Sequence, residues 1–131
     1  MIFNSYRLGK VHPDLVKIII VAAKSLKYDI TIIEGDRSES AQALNLKAGK
    51  SRTKRSRHVR TNNKNGYACA VDMAPLLPNG TIPWNRWDAF EALNGSMMKA
   101  AKQLGIPVEW GGDWKTFKDG DHWQLPWATY P

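Results

Sequence analysis

The alternation of hydrophobic and polar positions divides the chain into helical and extended segments. A dense apolar run, LVKIIIVAAKSLK, follows shortly after Pro13. Because proline suits the first turn of a helix, we predict a helix from Pro13 to about Lys27. Its apolar positions are too dense for a single buried stripe, so we expect it to pack on more than one side. The next segment, YDITIIEGD, is rich in β-branched residues and predicts a strand that stops at Gly35.

Two further helices are predicted. Ser38 can cap a helix over ESAQALNLKA, and Gly49 is placed to end it. Apolar residues recur at helical spacing before Gly105 and predict a third helix that ends there. These residues are Trp87, Phe90, Leu93, Met97, Ala101 and Leu104.

The remaining extended segments are short and lie in the second half of the chain. YACAVDMA is a strand candidate, and a Pro-Asn-Gly turn in LLPNGTIPW precedes another short extended piece. IPVEWGG and DHWQLPW are the last two candidates. Because helices and strands do not alternate regularly, we predict an α+β fold with a small, mainly antiparallel sheet flanked by helices.

Length and composition indicate one globular domain. The chain has 131 residues, of which 43% are hydrophobic and 24% are charged, so we expect a single core over residues 1–131. Cys69 is the only cysteine, which excludes an internal disulfide. The N-terminal segment lacks the apolar region of a signal peptide, and no run is long enough to span a membrane.

The net charge of +7 comes from one segment. Eight of the nineteen lysines and arginines lie between positions 47 and 64, where no acid occurs. We expect this segment to form a long exposed loop that attracts polyanions, among them nucleic acid, anionic membranes and acidic cell-wall polymers. The eight residues are Lys47, Lys50, Arg52, Lys54, Arg55, Arg57, Arg60 and Lys64.

Asp72 is the residue that most clearly indicates chemistry. In a strand through YACAVD, it shares a face with Ala68 and Ala70, where an unpaired carboxylate is costly to desolvate. His58 and His122 are the natural co-ligands if a metal provides the compensating charge. Two imidazoles and one carboxylate with an open fourth position are typical of catalytic zinc, which favours hydrolysis of an amide or ester. On residue chemistry alone, surface histidines and a capping aspartate remain the commoner explanation.

Hydrolysis also requires a general acid or base near the final histidine. Asp119, Asp121 and Glu109 are the candidates. Gly120 allows a bend that brings Asp119 toward His122, so we favour Asp119 and place Asp121 second.

Three ordered blocks of sequence carry a family resemblance. EGDRSESAQ, SRHV followed by GYACAVDMAP, and WGGDWKTFKDGDHWQLP resemble the zinc peptidases of the VanY-type D-Ala-D-Ala carboxypeptidase and L-alanyl-D-glutamate endopeptidase family, especially phage endolysins. The resemblance covers about residues 10–126 and implies a hedgehog/DD-peptidase-like fold with Zn²⁺ at the sheet. One departure is that Asp72 follows His58 by fourteen positions, more than is usual in the family, with RTNNKN as an apparent insertion.

The resemblance assigns roles to individual residues. It implies that His58, Asp72 and His122 bind zinc and that Asp119 is the catalytic acid/base. Arg37 matches the family arginine that approaches the substrate or the oxyanion; a salt bridge with a nearby acid is the alternative.

Further residues are expected to orient the site or the substrate. Ser56 and Gln42 match orienting positions of the family. Trp123, with the tryptophans at 110 and 114, is a candidate for the substrate cleft, although tryptophans this close together are more often core residues. Cys69 is a rival soft ligand, but its strand parity opposes that of Asp72.

The function implied is hydrolysis of the L-Ala-D-Glu bond in the peptide stem of bacterial peptidoglycan, with a D-Ala-D-Ala carboxypeptidase as the alternative. We expect a monomeric phage lysin without a separate cell-wall-binding domain. We expect it to accumulate in the host cytoplasm and to reach the wall through a separate pore. The basic loop is expected to hold it to anionic envelope polymers, with a solvated surface loop as the alternative. A basic nucleic-acid-binding module is the competing class, but it gives Asp72 and Asp119 no role.

Overall fold

The computed structural model describes residues 1–51, 53 and 55–131. Arg52 and Lys54 of the basic segment lie outside these residues. The helices are α1 (Pro13–Ser25), α2 (Glu39–Lys47) and α3 (Trp87–Leu104). The strands are β1 (Ile2–Phe3), β2 (Asp29–Glu34), β3 (Ala70–Leu76), β4 (Glu109–Trp110) and β5 (His122–Gln124). Within the described ranges, no helix has both the length and the apolar character needed to cross a membrane.

The strands form one mixed sheet. Their order is β1-β2-β3-β5-β4, in which β1 pairs with β2 in parallel and the other three pairings are antiparallel. The predicted α+β class with a small, mainly antiparallel sheet is therefore confirmed. The parallel strand β1 is absent from the sequence prediction because two residues are too few to show an alternating pattern.

The core lies between the sheet and the helices α1 and α3. Val71 and Met73 of β3 are fully buried in this core. Asp72 lies between them in the strand and therefore points to the opposite face of the sheet. The buried core positions of the two helices include Leu15, Ile18, Ile19, Ala22, Leu93 and Met97.

The starts of α1 and α2 both carry a side-chain cap, and the Ser38 cap and Pro13 in the first turn of α1 were predicted. The His12 side chain accepts a hydrogen bond from the N–H of Asp14 at the start of α1, and Ser38 caps α2 in the same way. α1 ends at Ser25, two residues earlier than predicted, because Leu26 already has an extended backbone.

The basic segment is more ordered than a long exposed loop. Residues 56–59 are buried, and the Asn63 amide donates to the carbonyl oxygens of Arg57 and Tyr67 at 3.1 and 2.8 Å. The prediction of an exposed loop is therefore wrong at these positions. The physical reason is that Asn63 satisfies backbone groups that a buried turn otherwise leaves unpaired.

Candidate metal centre and active-site cleft

Three neighbouring strands place a row of ionisable side chains on the sheet face opposite the core. Glu34 pairs with Asp72 across β2 and β3, and Asp72 pairs with His122 across β3 and β5. Directly opposed residues project from the same face. A register irregularity between Ile32 and Glu34 brings Glu34 into the row. His58 reaches the same place from the segment between α2 and β3.

His58, Asp72 and His122 converge on one point. Nε2 of His58 lies 3.2 Å from Oδ1 of Asp72, and Nδ1 of His122 lies 3.1 Å from the same oxygen. The other ring nitrogens each lie 2.8 Å from an acceptor, the carbonyl oxygen of Gly35 for His58 and Oε1 of Gln124 for His122. These acceptors favour neutral tautomers whose lone pairs face Asp72. Three electron-pair donors thus surround a position that suits a cation.

The largely buried carboxylate of Asp72 stays ionised only if positive charge lies beside it. Burial opposes ionisation of Asp72, but the charge of His58 and the hydrogen bonds from both histidines hold the pKa of Asp72 well below its usual range. Burial likewise acts to lower the pKa of His122, but the hydrogen bond and charge of Asp72 raise it above the ordinary value. A proton on the imidazole and a metal ion are therefore alternative sources of the charge that Asp72 requires.

Two acids flank the turn that leads into β5. The N–H of His122 donates to the carbonyl oxygen of Asp119 at 3.2 Å, so the chain bends around Gly120. Carboxylate oxygens of Asp72, Asp119 and Asp121 lie within 4.8 Å of one another. Burial, a hydrogen bond with Asp119 and the charge of Asp72 raise the pKa of Asp121 to about 9. These contacts favour the protonated form of Asp121, which can donate a hydrogen bond to Asp119.

Arg37 lines the cleft but is already bonded on three sides. Its Nε donates to Oε1 of Glu34 at 2.9 Å, and its Nη2 donates to the same oxygen. Its Nη1 donates to Oε1 of Gln42 at 2.6 Å, and its Nη2 lies 3.6 Å from Oδ2 of Asp72. The salt bridge raised as an alternative from the sequence is present, and the same guanidinium also faces the metal-binding candidates.

Gln42 and Ser56 lie where they can support the site. Gln42 is 3% exposed and donates from Nε2 to Oγ of Ser51 at 2.9 Å and to the carbonyl oxygen of Thr53 at 2.7 Å. It therefore links the guanidinium to the basic segment. Oγ of Ser56 accepts from the N–H of His58 at 3.2 Å, which fixes the backbone that carries the imidazole.

Three sequence candidates lie away from this group. Trp123 is 0% exposed and belongs to the core, where its Nε1 donates to Oδ1 of Asn94. The prediction that Trp123 contacts the substrate is therefore wrong, because the side chain is buried. Strand alternation explains this position, because Trp123 neighbours His122 and points to the opposite face. Glu109 is exposed on β4, and the thiol of Cys69 is buried against Asn65.

A cleft of about 530 Å³ opens over the site. His58, Asp72, His122 and the acids at 119 and 121 line it. Trp114 forms an aromatic wall, with its ring centroid 5.2 Å from that of His122. The cleft therefore combines the possible metal ligands, two carboxyl groups and an aromatic surface.

Sequence reasoning missed three residues that shape the site. Gln124 and the carbonyl oxygen of Gly35 fix the tautomers of the two histidines. The spacing of Gln124 was an available signal, because it follows His122 by two positions in a strand and shares its face. Gly111 allows the turn that carries Asp119 to pack closely against the backbone of residue 111. A Cβ at that position would collide with the carbonyl oxygen of Asp119 and lie 3.2 Å from Cβ of His122.

Known proteins resemble this chain over most of its length. The profile of the phage L-alanyl-D-glutamate peptidase family matches residues 3–124. The L-alanyl-D-glutamate peptidase of Escherichia phage T5 is 34% identical over 127 residues, which cover 95% of this chain and 86% of the relative. The peptidoglycan L-alanyl-D-glutamate endopeptidase CwlK of Bacillus subtilis strain 168 is 35% identical, covering 88% of this chain and 70% of the relative.

A solved structure agrees with the sequence comparison. The crystal structure of the L-Ala D-Glu endopeptidase ChiX of Serratia marcescens has a TM-score of 0.87 and 38% identity, and the match covers 100% of this chain and 94% of ChiX. The fold and these similarities place the chain among peptidases. It belongs to the phage L-alanyl-D-glutamate peptidase family, and the family predicted from the sequence motifs is confirmed.

Proposed function

We propose that this chain is a zinc-dependent endopeptidase that hydrolyses the L-Ala-D-Glu bond of peptidoglycan and thereby lyses bacterial cells. The observation that carries the proposal is the convergence of His58, Asp72 and His122 beside Asp119 in one cleft. The names of the T5, Bacillus and Serratia relatives support the choice of bond.

The side chains present fit a catalytic zinc site. Two neutral imidazoles and one carboxylate supply the ligand atoms, and each imidazole is oriented by a hydrogen bond from its second nitrogen. When bound, zinc supplies Lewis-acid polarisation of the scissile carbonyl group and lowers the pKa of a water molecule.

The proposed chemistry of the protein itself centres on Asp119. Its carboxylate accepts a proton from the attacking water and returns it to the departing amine. Arg37 has five N–H donors, of which three are bonded to Glu34 and Gln42. Its position at the cleft suits it to stabilise negative charge that develops on the carbonyl oxygen. Ser56 holds the backbone of the first histidine.

We further propose how the enzyme is organised and where it acts. Residues 1–131 form one catalytic domain that acts as a monomer, collects in the host cytoplasm and reaches the wall through a separate pore. The basic segment 47–64 strengthens contact with anionic envelope polymers through its charge. The nucleic-acid alternative is weakened because it gives the convergence of His58, Asp72 and His122 no role.

Mass spectrometry of the fragments released from Gram-negative sacculi tests the proposal. We expect new L-Ala C-termini and D-Glu N-termini that disappear when a zinc chelator is added. Release of D-Ala alone would instead assign the D-Ala-D-Ala carboxypeptidase activity. Absence of any metal-dependent product from a folded sample would refute the peptidase proposal.

Replacing Gln124 with alanine should weaken metal binding. The change removes the acceptor that lies 2.8 Å from Nε2 of His122, so the ring is no longer held with Nδ1 toward Asp72. Loss of such a partner typically reduces metal affinity by about 10-fold to 100-fold. Competition with a chelating dye measures the affinity. Gln103→Ala on the exposed surface of α3 is the control and should bind metal as the parent does.

Replacing Gly111 with alanine should displace the turn that carries Asp119. The added methyl group would collide with the carbonyl oxygen of Asp119, so we expect stability to fall by about 1–3 kcal/mol and peptidase activity to fall with it. Thermal unfolding and sacculus digestion measure the two effects. Gly95→Ala is the matched control, because a Cβ at that exposed position in α3 meets nothing within 4 Å. It should raise stability by about 0.5–1 kcal/mol.

A further inference from the structure

The cleft contains more positive charge than the proposed chemistry uses. Among the residues that the structure describes, four cationic side chains line it, those of Arg37, Lys50, Arg55 and Arg57. Arg37 is bonded to the carboxylate of Glu34 and is not free to bind another one through its planar fork. The proposed chemistry therefore gives no role to the positive charges that the basic segment places in the cleft.

Arg57 supports the wall of the cleft. It is 2% exposed, and its Nη1 donates to Oδ1 of Asn63 at 2.9 Å while its Nη2 donates to the carbonyl oxygen of Tyr130 at 2.5 Å. Its guanidinium carbon lies 3.9 Å from the ring centroid of Trp127. These contacts tie the basic segment to the C-terminal residues and fix the indole ring at the cleft.

Arg55 lies against the same indole ring but is exposed. Its guanidinium carbon is 4.6 Å from the ring centroid of Trp127, within the range of a cation–π contact. Among the residues that the structure describes, no carboxylate forms an ion pair with Arg55. The ring thus restricts the position of a guanidinium that has no carboxylate partner within the described part of the chain.

Arg55 is also close to the proposed point of cleavage. It lines the same cleft as His58, which follows it by three residues, so the two Cα atoms lie at most about 11 Å apart. D-glutamate has two carboxyl groups, and the peptide stem continues through one of them. The other remains a free carboxylate on the amine side of the L-Ala-D-Glu bond, so the substrate carries negative charge close to the cut.

We propose that Arg55, held against Trp127, binds the free carboxylate of this D-glutamate and makes the enzyme select stems in which that group is not amidated. The inference rests on the proposed function. Arginine suits the task because its planar fork donates two parallel hydrogen bonds to a carboxylate. A carboxamide at the same position lacks the negative charge, and its N–H donors would face the N–H donors of the guanidinium. Lys50 is the other exposed cation of the described cleft without an acidic partner, and it is a point charge without the ring contact.

Two matched peptides test this inference on the zinc-loaded enzyme. Both contain acyl-L-Ala-D-Glu extended through the γ-carboxyl group, and they differ only in a free α-carboxylate or an α-carboxamide. We expect the parent enzyme to prefer the carboxylate peptide in kcat/KM by about tenfold or more. Arg55→Gln should abolish this preference by slowing the carboxylate peptide, while the amide peptide changes by no more than about twofold.

Matched variants separate a binding site from general attraction. Lys64→Gln removes one positive charge from the same basic segment at an exposed position away from the cleft, so it should keep the full preference. Arg55→Lys should keep part of it, because the charge remains and the fork is lost. Loss of the preference in Lys64→Gln would overturn the assignment to Arg55. So would loss of the preference in Lys50→Gln together with its retention in Arg55→Gln.

The failure of this inference is distinguishable from failure of the proposed function. If the parent enzyme cuts both peptides equally well, the inference is overturned and the endopeptidase proposal stands. If folded, zinc-loaded protein cuts neither peptide, the proposed function fails and the inference fails with it.

Discussion

Replacing His58 with alanine should give a folded protein that retains almost no metal and has no measurable peptidase activity. Nε2 of His58 is one of three ligand atoms around the proposed zinc position. Its loss leaves Asp72 and His122 as two protein ligands, one fewer than catalytic zinc sites normally have. Elemental analysis of the purified protein measures the metal, and digestion of sacculi measures the activity. Circular dichroism reports whether the variant is folded.

The third histidine provides the control for this experiment. His12 caps α1 and contacts the rings of Tyr67 and Tyr130, away from the proposed zinc ligands. His12→Ala should therefore lower stability by about 0.5–2 kcal/mol while keeping the metal and the activity. His58→Gln is a second variant, in which an amide N–H can replace the donor to Gly35. Full metal content in both His58 variants would remove His58 from the ligand set.

The parts of the fold that sequence predicts well are those with a repeated pattern. α3 follows from apolar residues at helical spacing, and the opposite orientations of Val71 and Asp72 follow from strand alternation. The same alternation places Trp123 in the core, although the sequence analysis treated it as a substrate contact. Its burial agrees with the core packing that the sequence analysis left open as the alternative.

The parts that sequence cannot predict depend on contacts between distant segments. Nothing in the local pattern indicates that the carbonyl oxygen of Gly35 accepts from His58, or that Arg57 bonds to Tyr130. Such pairings are set by tertiary packing, which also converts the basic segment from an expected exposed loop into a partly buried wall. The motifs found in sequence locate the site, and these long-range contacts determine its tautomers and its charge.

Replacing Asp119 with asparagine should nearly abolish turnover while the metal stays bound. The amide has almost the same size as the carboxylate but cannot accept a proton from water at neutral pH. Loss of a general acid/base typically slows a reaction by about 100-fold to 10,000-fold. His58, Asp72 and His122 are unchanged, so elemental analysis should find the metal content of the parent. A large drop in kcat with unchanged metal thus separates this variant from the histidine variants.

Two aspartates near Asp119 sharpen the test. Asp113→Asn changes an exposed acid outside the cleft and should leave kcat within about twofold of the parent. Asp121→Asn alters the carboxyl group that is hydrogen-bonded to Asp119 and should slow the reaction less than Asp119→Asn, because an amide can still donate to the Asp119 carboxylate. If Asp121→Asn is instead the slower enzyme and Asp119→Asn keeps normal turnover, the proton-transfer role belongs to Asp121.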